Sequence, residues 1–329
     1  MKALVYNGPE KLDFIDVNDP TLRDGEVIVK IDSVGICGSD MHAFLGHDDR
    51  RPAPLILGHE VSGLIVGGEH DGRRVTVNPL VTCGTCPACV SGRDNLCPDR
   101  QIISMQPREG GFAQFVAIPL SNVVTVPDEF PLEKACMAEP IACGWHAVRL
   151  AQKALDVEIS AARALVIGGG AIGVGAALSL IAFGASDVTV LEPNAIRREY
   201  LKTTTELNVL DPKTLDESVQ FDLAIDGVGF SATRETASKA VRPGGVIMHI
   251  GLGGSEGGLD IRRFTLQEIT FMGTYTYTAE DFRATAQAMF SGKLGRLDWF
   301  EARPLSKGAK AFVDIRQSIV EAPKIILKP

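Results

Sequence analysis

The first 35 residues alternate short runs of strand-forming residues with turn residues. Residues 3–6 and 27–31 are rich in Val, Ile, Leu and Tyr, which favour extended structure. Turn dipeptides separate these runs: Gly8-Pro9, Asp19-Pro20 and Asp24-Gly25. The pattern predicts a small, partly open β-barrel that carries loops.

Beyond residue 160 the chain alternates continuous apolar runs with helix-like segments. Continuous apolar runs are typical of parallel strands that are covered on both faces. Their alternation with helices predicts an α/β, doubly wound sheet that binds ligands at the carboxyl ends of its strands. The predicted strands and their turns occupy residues 164–167, 188–191, 221–229, 244–252 and 269–274.

The tail of the chain predicts a helix near residues 305–312 and a final strand at residues 324–327. We expect these two elements to complete the first domain rather than to extend the second. A length of 329 residues is consistent with two domains. The predicted division is residues 1–145 with 276–329 for the barrel domain, and residues 146–275 for the doubly wound domain.

Composition narrows the class of protein. Apolar residues make up 45% of the chain, yet no run approaches the ~20 apolar residues of a membrane span. The first six residues read as a strand and not as a signal peptide, so we expect a cytoplasmic protein. A net charge of -8 without any basic run argues against nucleic acid or an anionic membrane as partner.

A glycine-rich motif follows the first strand of the doubly wound domain. Gly168, Gly170 and Gly173 form G-x-G-x-x-G, with Ile172 inside it, and a helix pattern follows directly. In this context Gly168 allows the tight turn, Gly170 lets a pyrophosphate approach, and Gly173 permits close packing of helix on strand. The helix N-terminus then faces the phosphates.

The next strand ends in Glu192, which lies 19 residues after Gly173. An acidic residue at this position accepts hydrogen bonds from the adenosine ribose and repels a 2′-phosphate, which favours NAD over NADP. Arg197 and Arg198 follow closely, and a guanidinium can hold a 2′-phosphate, so NADP stays the alternative.

Four of the seven cysteines lie within fifteen residues, as C-x2-C-x2-C-x7-C. Four thiolates at this spacing can close a tetrahedron around one zinc ion and leave no open position, which predicts a structural zinc site. Four reduced cysteines in a metal-free loop and an iron–sulfur cluster are the alternatives. The predicted ligands are Cys83, Cys86, Cys89 and Cys97.

A second predicted zinc site is formed by residues in two short motifs. Cys37 and His59 offer a thiolate and an imidazole, which zinc favours, and a catalytic zinc needs a third protein ligand and an open position. Ser39 and His42 follow Cys37 closely. A hydroxyl beside the metal, backed by an imidazole, can remove the proton of an alcohol.

The chain resembles the zinc-dependent medium-chain alcohol dehydrogenases almost from end to end. Cys-Gly-Ser-Asp-x-His, which begins at Cys37, and Gly-His-Glu-x-x-Gly, which contains His59, are signatures of that family. The resemblance makes Glu139 the third ligand, and an acidic ligand before proline indicates the polyol and threonine dehydrogenase branch. Cys143 is the rival third ligand. We expect Pro140 to disfavour helical geometry at Glu139 and so to aim its carboxylate at the metal.

The resemblance also implies features that the residues alone do not give. It implies a GroES-like barrel beside a Rossmann domain, and a homodimer or homotetramer. An arginine near Arg197 commonly lies against the adenosine end of NAD in such proteins. The segments expected to border the nicotinamide contain Ile250, Gly251, Leu252, Thr274 and Thr276.

Glu60 has two readings. It directly follows a metal ligand and can bind the metal through water or during ligand exchange, or it can be a hydrogen-bond acceptor beside the site. We expect the walls of the substrate pocket to include Phe44, Trp145 and Trp299. Relatives that oxidise sorbitol have arginine where this chain has Thr276, which puts sorbitol itself in doubt.

These features predict a zinc- and NAD-dependent enzyme that reversibly oxidises a secondary alcohol on a polyol-like small molecule to a ketone. Oxidation of threonine or of a sugar phosphate on the same site is the alternative, with Arg50 or Arg51 meeting the anionic group. A non-catalytic NAD-binding redox sensor is a further alternative from another class.

Overall fold

The computed structural model describes all residues, 1–329. None of its helices combines the length and the apolar character that crossing a bilayer requires.

Strands are the main regular elements of the first 137 residues, as the alternation of strand and turn residues predicts. Three short helices interrupt them: α1 (Gly38–Phe44), α2 (Pro87–Val90) and α3 (Leu132–Ala135). The strands are β1 (Lys2–Gly8), β2 (Lys11–Asp16), β3 (Glu26–Gly35), β4 (Leu55–Ile56), β5 (Glu60–Val66), β6 (Arg74–Val77), β7 (Leu80–Val81), β8 (Gln101–Ile102), β9 (Phe115–Pro119) and β10 (Val123–Thr125).

The central part of the chain alternates helices with parallel strands. Its helices are α4 (Ala138–Ala154), α5 (Ala171–Ala182), α6 (Ala195–Thr204), α7 (Ser231–Ala240) and α8 (Ile261–Gln267). Its strands are β11 (Arg163–Ile167), β12 (Asp187–Leu191), β13 (Asn208–Leu210), β14 (Phe221–Asp226), β15 (Val241–His249) and β16 (Thr270–Gly273). They form one sheet in the order β13-β12-β11-β14-β15-β16, and every pairing in it is parallel.

The tail contains α9 (Ala279–Phe290), β17 (Phe300–Pro304), α10 (Gly308–Arg316) and β18 (Lys324–Lys328). Its last three elements pack on the first domain. Strand β18 pairs antiparallel with β3, and the barrel sheet runs β10-β6-β5-β3-β18-β17, with β9 also on β3. Leu305, Phe312 and Leu327 are buried in the same core as β1, β3 and β5.

The observed architecture confirms the predicted α/β fold with a barrel domain and a doubly wound domain. The packing of the second core extends beyond residue 275. Helix α9 contacts α4, and Tyr277, Phe282 and Trp299 are buried in one cluster with residues of β11 and β14. Helix α4 therefore lies at the junction, where it carries Glu139 at its beginning and supports the second sheet along its length.

Candidate active site and metal centres

The two ligand-bearing motifs meet because β3 and β5 are antiparallel neighbours. Gly35, the last residue of β3, pairs with Glu60, the first residue of β5. Cys37 and His59 lie just outside this pair, at the same end of the barrel. Ligand atoms of Cys37, His59 and Glu60 all lie within 4.8 Å of one another, which places them within reach of a single ion.

Asp40 ties the two motifs together. Its carboxylate accepts hydrogen bonds from the amides of Cys37 (3.0 Å) and Gly58 (3.2 Å), and Oδ1 lies 3.5 Å from Nδ1 of His59. Burial opposes its ionisation, but the interaction with His59 holds the pKa of Asp40 below its ordinary value. Ser104 Oγ is also 3.4 Å from Nδ1 of His59. Both contacts engage Nδ1, which leaves Nε2 as the nitrogen for a metal.

Glu60 is fully buried, and its two oxygens differ. Oε1 accepts a hydrogen bond from Nζ of Lys324 at 2.5 Å, and the same ammonium group donates to the carbonyl of Ile36 at 2.8 Å. Oε2 has no hydrogen-bond partner. A β-carbon on Gly35 would come within 1.8 Å of this oxygen, so only glycine leaves it room. A buried acceptor without a partner, in a cluster with a thiolate and an imidazole, fits a cation.

Glu139 lines the same cavity as Cys37 and His59 but lies outside the tight triplet. It is buried, and Oε1 accepts a hydrogen bond from the hydroxyl of Tyr277 at 2.7 Å. Burial, reinforced by the charge of Glu60, raises the pKa of Glu139. Its rival Cys143 lies four residues further along α4 and lines the same cavity, and burial raises the pKa of this thiol well above its ordinary value.

The expected effect of Pro140 on Glu139 is wrong. Helix α4 begins at Ala138, so Glu139 and Pro140 both lie in its first turn. Proline is tolerated there because the amide that it lacks would have no partner within the helix. The carboxylate is therefore placed by the N-terminal turn of a long helix and by Tyr277, not by a break in the helix.

Ser39 and His42 are in the first two turns of α1 and line the cavity with Cys37. A spacing of three residues puts two side chains on one face of a helix. The hydroxyl and the imidazole therefore lie on the same side of α1, which a proton path between them requires.

A single cavity of about 560 Å³ joins these residues to the glycine-rich motif. Most of the predicted cofactor contacts line it: Gly168, Gly170, Ile172, Glu192, Arg197, Ile250, Gly251, Leu252, Thr274 and Thr276. The predicted walls are wrong, because Phe44 and Trp299 are buried in the cores and Trp145 packs against Phe183. These large aromatic side chains take part in hydrophobic packing and do not line the pocket.

The glycine motif has the geometry that its pattern predicts. Gly168 has a φ of +103°, a backbone conformation that residues other than glycine rarely adopt. A β-carbon on Gly173 would come within 1.8 Å of the carbonyl oxygen of Gly168, so this glycine permits the close approach of α5 to β11. Gly170 is the N-cap of α5, and a β-carbon there would meet nothing within 4 Å. The open space in front of Gly170 and the helix N-terminus fits a pyrophosphate.

Glu192 is buried at the end of β12 and is held by the backbone. Its oxygens accept hydrogen bonds from the amides of Gly169 (3.0 Å) and Asn194 (2.7 Å). Nη1 of Arg197 lies 3.6 Å from Oε2 of Glu192, and Nε of Arg197 has no hydrogen-bond partner. Arg198 is occupied by main-chain carbonyls, including that of Glu192, and by an ion pair with Asp211.

The four clustered cysteines converge as their spacing predicts. The sulfur of Cys83 lies 3.9 Å from that of Cys89 and 3.5 Å from that of Cys97, and the sulfurs of Cys86 and Cys89 are 3.5 Å apart. Four sulfurs bound at about 2.3 Å in a tetrahedron would be about 3.8 Å apart. Hydrogen bonds from the amides of Thr85 and Cys86 lower the pKa of Cys83 to about 6, which favours the thiolate that a metal binds, whereas burial and the neighbouring sulfurs raise the pKa of Cys89 to about 12.

Two buried residues beside the site gave little signal in the sequence. Tyr277 contacts Glu139 across 138 residues of chain, and Lys324 contacts Glu60 across 264. A lysine at the start of the apolar run 324–327 was the only local indication of a buried charge, because a buried lysine requires a partner.

Comparison with protein families gives two matches. The model of the alcohol dehydrogenase GroES-like domain matches residues 23–128, and that of the zinc-binding dehydrogenase domain matches residues 171–291. The chain is 35% identical to the L-galactonate-5-dehydrogenase of Escherichia coli over 309 residues, 89% of this chain and 88% of that protein. It is 33% identical to the sorbitol dehydrogenase of Bacillus subtilis, covering 84% of this chain and 82% of that protein.

Comparison with solved structures gives the same architecture over the whole length. The structure of acetophenone reductase from Geotrichum candidum, in complex with NAD, superposes with a TM-score of 0.88 at 26% identity, covering 100% of this chain and 97% of that one. Galactitol-1-phosphate dehydrogenase from Escherichia coli gives a TM-score of 0.87 at 25% identity, with 100% of both chains covered.

Proposed function

The chain belongs to the zinc-dependent medium-chain alcohol dehydrogenase family, and from this membership we propose that it uses NAD to oxidise a secondary alcohol of a polyol-like substrate to a ketone, reversibly. One observation carries the proposal. The cavity that contains Cys37, His59 and Glu139 also contains the glycine motif and Glu192. Family membership identifies the chain as an enzyme, which sets aside the alternative of a non-catalytic sensor.

The group of candidate metal ligands gives the site its chemistry. We propose that Cys37, His59 and Glu139 hold a zinc ion, with Glu60 nearby for ligand exchange through its unpartnered Oε2. When bound, zinc supplies Lewis-acid polarisation of the alcohol oxygen, and the nicotinamide accepts the hydride from the carbon. Asp40 holds the ring of His59 in the orientation that presents Nε2.

The proton must leave the site as the hydride does. Secondary alcohol and NAD⁺ give ketone, NADH and one proton. Ser39 takes up the hydroxyl proton and passes it toward His42, which delivers it to solvent. Both side chains lie on one face of α1 and line the cavity, so the path runs along the surface of a helix.

The nucleotide half of the cavity supports NAD in preference to NADP. Glu192 is buried and fixed by two amide hydrogen bonds, so its charge cannot turn away from an incoming 2′-phosphate. Arg197 offsets that charge from 3.6 Å, and we place it against the adenosine. A carboxylate that is held rigidly by the backbone hydrogen-bonds a ribose and repels a phosphate.

We propose two zinc ions per chain, with the second in the four-cysteine lobe (residues 83–100), where the sulfur spacing supports a closed site. Four thiolates bind a metal only while they are reduced, which supports a cytoplasmic setting. We also propose a homodimer, with a homotetramer as the alternative. Strand β16 is the last strand of its sheet and carries the exposed Phe271, so its free edge and this apolar side chain can pair with a second copy.

A second candidate is an anionic sugar acid or sugar phosphate. Arg50 and Arg51 both line the cavity, and Asp48 pairs with both of them. One carboxylate for two guanidinium groups leaves this wall with a net positive charge. The named activity of the L-galactonate-5-dehydrogenase concerns a sugar acid, and the positive wall is the observation in this chain that favours such a substrate. Threonine oxidation is a further alternative on the same metal site.

A substrate panel tests the proposal. Purified protein is assayed for reduction of NAD and of NADP with neutral polyols, sugar acids, sugar phosphates and threonine, before chelation, after chelation and after zinc is restored. We expect NAD-dependent oxidation of a polyol or sugar acid that chelation abolishes and zinc restores. Activity that survives complete removal of metal would refute the proposal.

A further inference from the structure

The segment that connects β16 to α9 crosses from the nucleotide domain to the metal site under strain. Thr276 in this segment has a φ of +45°, and a β-branched side chain rarely adopts such a conformation. Its hydroxyl is shielded from solvent and has no hydrogen-bond partner. Strained backbone of this kind persists only where surrounding contacts hold it.

The contacts that hold the segment on one side come from the four-cysteine lobe. The side-chain amide of Asn95 donates to the carbonyl of Tyr275 at 2.7 Å, and Asn95 is 3% exposed. Arg100 places its guanidinium 4.9 Å from the centre of the Tyr275 ring and donates to the carbonyl of Cys97 at 2.8 Å. Asp94 accepts a hydrogen bond from the amide of Ala279 at 3.0 Å, at the beginning of α9.

All three anchoring residues depend on the lobe for their position. Asp94 and Asn95 form a single short turn immediately before Cys97, and Arg100 follows that cysteine by three residues. This region has little core of its own, because its only buried residues are Asn95 and Cys97. A metal bound by the four sulfurs is therefore the main constraint on the shape of the lobe.

On its other side the segment holds the catalytic carboxylate. Tyr277 is fully buried, and its hydroxyl donates to Oε1 of Glu139 at 2.7 Å. Its ring packs against Phe282 of α9 at a centroid distance of 5.6 Å. A carboxylate that ligates a metal needs a fixed orientation, and hydrogen bonds from neighbouring side chains supply it.

We propose that Tyr277 is a positioning residue for the metal ligand Glu139, and that the four-cysteine lobe fixes Tyr277 in place through Asn95 and Tyr275. The lobe thereby controls how tightly the catalytic metal is bound. This inference rests on the proposed function, since it takes Glu139 as a ligand. The inference adds that the metal site of the lobe acts on the catalytic metal site through the short segment between β16 and α9.

The first test removes one oxygen atom. Tyr277→Phe keeps the buried ring and deletes only the donor to Glu139. The matched control is Tyr200→Phe, which deletes a hydroxyl that contacts the carbonyls of Asp298 and Phe300. Metal content per chain is measured after equilibration with graded concentrations of a chelator, and the Co²⁺-substituted proteins are compared by absorption spectroscopy.

We expect Tyr277→Phe to bind the catalytic metal about tenfold more weakly, within the range for residues that orient ligands, and to change the Co²⁺ spectrum of that site alone. The control should match the wild type. Affinity within twofold of the wild type, with an unchanged spectrum, would overturn the role of Tyr277.

The second test acts from the lobe. Asn95→Ala leaves all four cysteines in place, so the lobe can keep its own metal, which serves as an internal control. We expect Asn95→Ala to lose the catalytic metal at a lower chelator concentration than the wild type does, while the metal of the lobe is retained as in the wild type. If the variant loses the catalytic metal at the same chelator concentration as the wild type, the coupling is refuted even if Tyr277→Phe behaves as expected.

Failure of the proposed function gives a different result. In that case the wild type binds no metal beyond that of the lobe and oxidises no alcohol in the panel. If the wild type binds two metals and is active, the variants test the coupling alone.

Discussion

The ammonium group of Lys324 lies 2.5 Å from Oε1 of Glu60, and both side chains are shielded from solvent. The pair joins the last strand of the chain to the first residue of β5, directly beside the candidate metal ligands Cys37 and His59. Burial alone would lower the pKa of Lys324, but the charge of Glu60, its hydrogen bond and the other acidic groups nearby together outweigh burial and raise the pKa above its ordinary value. Glu60 is thereby held by one oxygen while the other is left free.

Replacement of Lys324 by Met should destabilise the protein, because it leaves the carboxylate of Glu60 buried without its partner. Breaking a buried ion pair in this way costs about 3–5 kcal/mol. Urea unfolding of the zinc-loaded protein measures the loss. The double variant Lys324→Met/Glu60→Gln should recover most of it, and a double variant as unstable as the single one would contradict this account.

Two glycines of the nucleotide motif should respond differently to the same substitution. Gly173→Ala puts a β-carbon within 1.8 Å of the Gly168 carbonyl oxygen, so we expect it to lower the free energy of unfolding by about 1–3 kcal/mol or more. Gly170→Ala meets no protein atom and should leave stability unchanged, yet weaken NADH binding where the pyrophosphate approaches.

Thermal unfolding and NADH fluorescence titration separate the two effects. Each variant is the control for the other, since the substitution is identical. Equal NADH affinity for Gly170→Ala and the wild type would show that the pyrophosphate does not lie against this residue.

Glu192→Ala should relax the preference for NAD. The loss of a charged hydrogen-bond acceptor for the ribose costs about 1.5–3 kcal/mol, and at 1.4 kcal/mol per factor of ten the ratio of kcat/KM for NAD over NADP should fall at least tenfold. Arg197 would then face a 2′-phosphate without a competing carboxylate. Glu199→Ala, at an exposed position on α6, is the control, and an unchanged ratio in Glu192→Ala would refute the assigned role.

The proximities that the sequence alone could anticipate best are those set by local spacing. The four cysteines and the glycine motif are each contained in one short segment, so the backbone geometry of that segment brings them together. The contacts of Lys324 and Tyr277 were missed because they join residues more than a hundred positions apart, and only the folded sheet order creates them. The error at Pro140 has a local cause. A residue before proline disfavours helical geometry, but proline itself is well tolerated in the first turn of a helix, and the second preference prevails in α4.

The surroundings of Asp281 predict a specific dependence of the free energy of unfolding on pH. It is buried and accepts hydrogen bonds from Nδ1 of His146 (2.7 Å), from Nε and Nη2 of Arg149 and from the hydroxyl of Thr278. Burial raises its pKa, but these partners prevail and hold it well below its ordinary value. A carboxyl with a lowered folded-state pKa stabilises the protein fully above its unfolded pKa of about 3.9, and this contribution is lost as the pH falls further.

Asp281→Asn should therefore cost stability at pH 7, by about 1.5–3 kcal/mol, because the hydrogen bonds to a charged carboxylate are lost. The difference from the wild type should shrink as the pH falls below about 4, because the unfolded chain then begins to bind a proton at Asp281 that the folded protein does not bind. Urea unfolding at several pH values measures it. A difference that stays constant down to the lowest pH at which both proteins fold would contradict the assignment.

The wall formed by Arg50 and Arg51 decides between the two candidate substrate classes. Arg51 is almost fully buried and is fixed by Asp48 and by the carbonyl of Ser104, whereas the side chain of Arg50 is 62% exposed and shares Asp48. Arg50 donates to Asp48 through Nε and Nη2, but its exposed side chain keeps Nη1 available for an anionic group. Arg50→Met should raise KM for a sugar acid about tenfold or more, since a hydrogen bond to a charged group contributes about 1.5–3 kcal/mol, and should leave KM for a neutral polyol unchanged.

Arg50→Lys keeps the charge and should restore part of the affinity, and high salt should weaken sugar-acid binding by the wild type. An equal effect of Arg50→Met on both substrates would assign the wall a structural role and favour the neutral polyol.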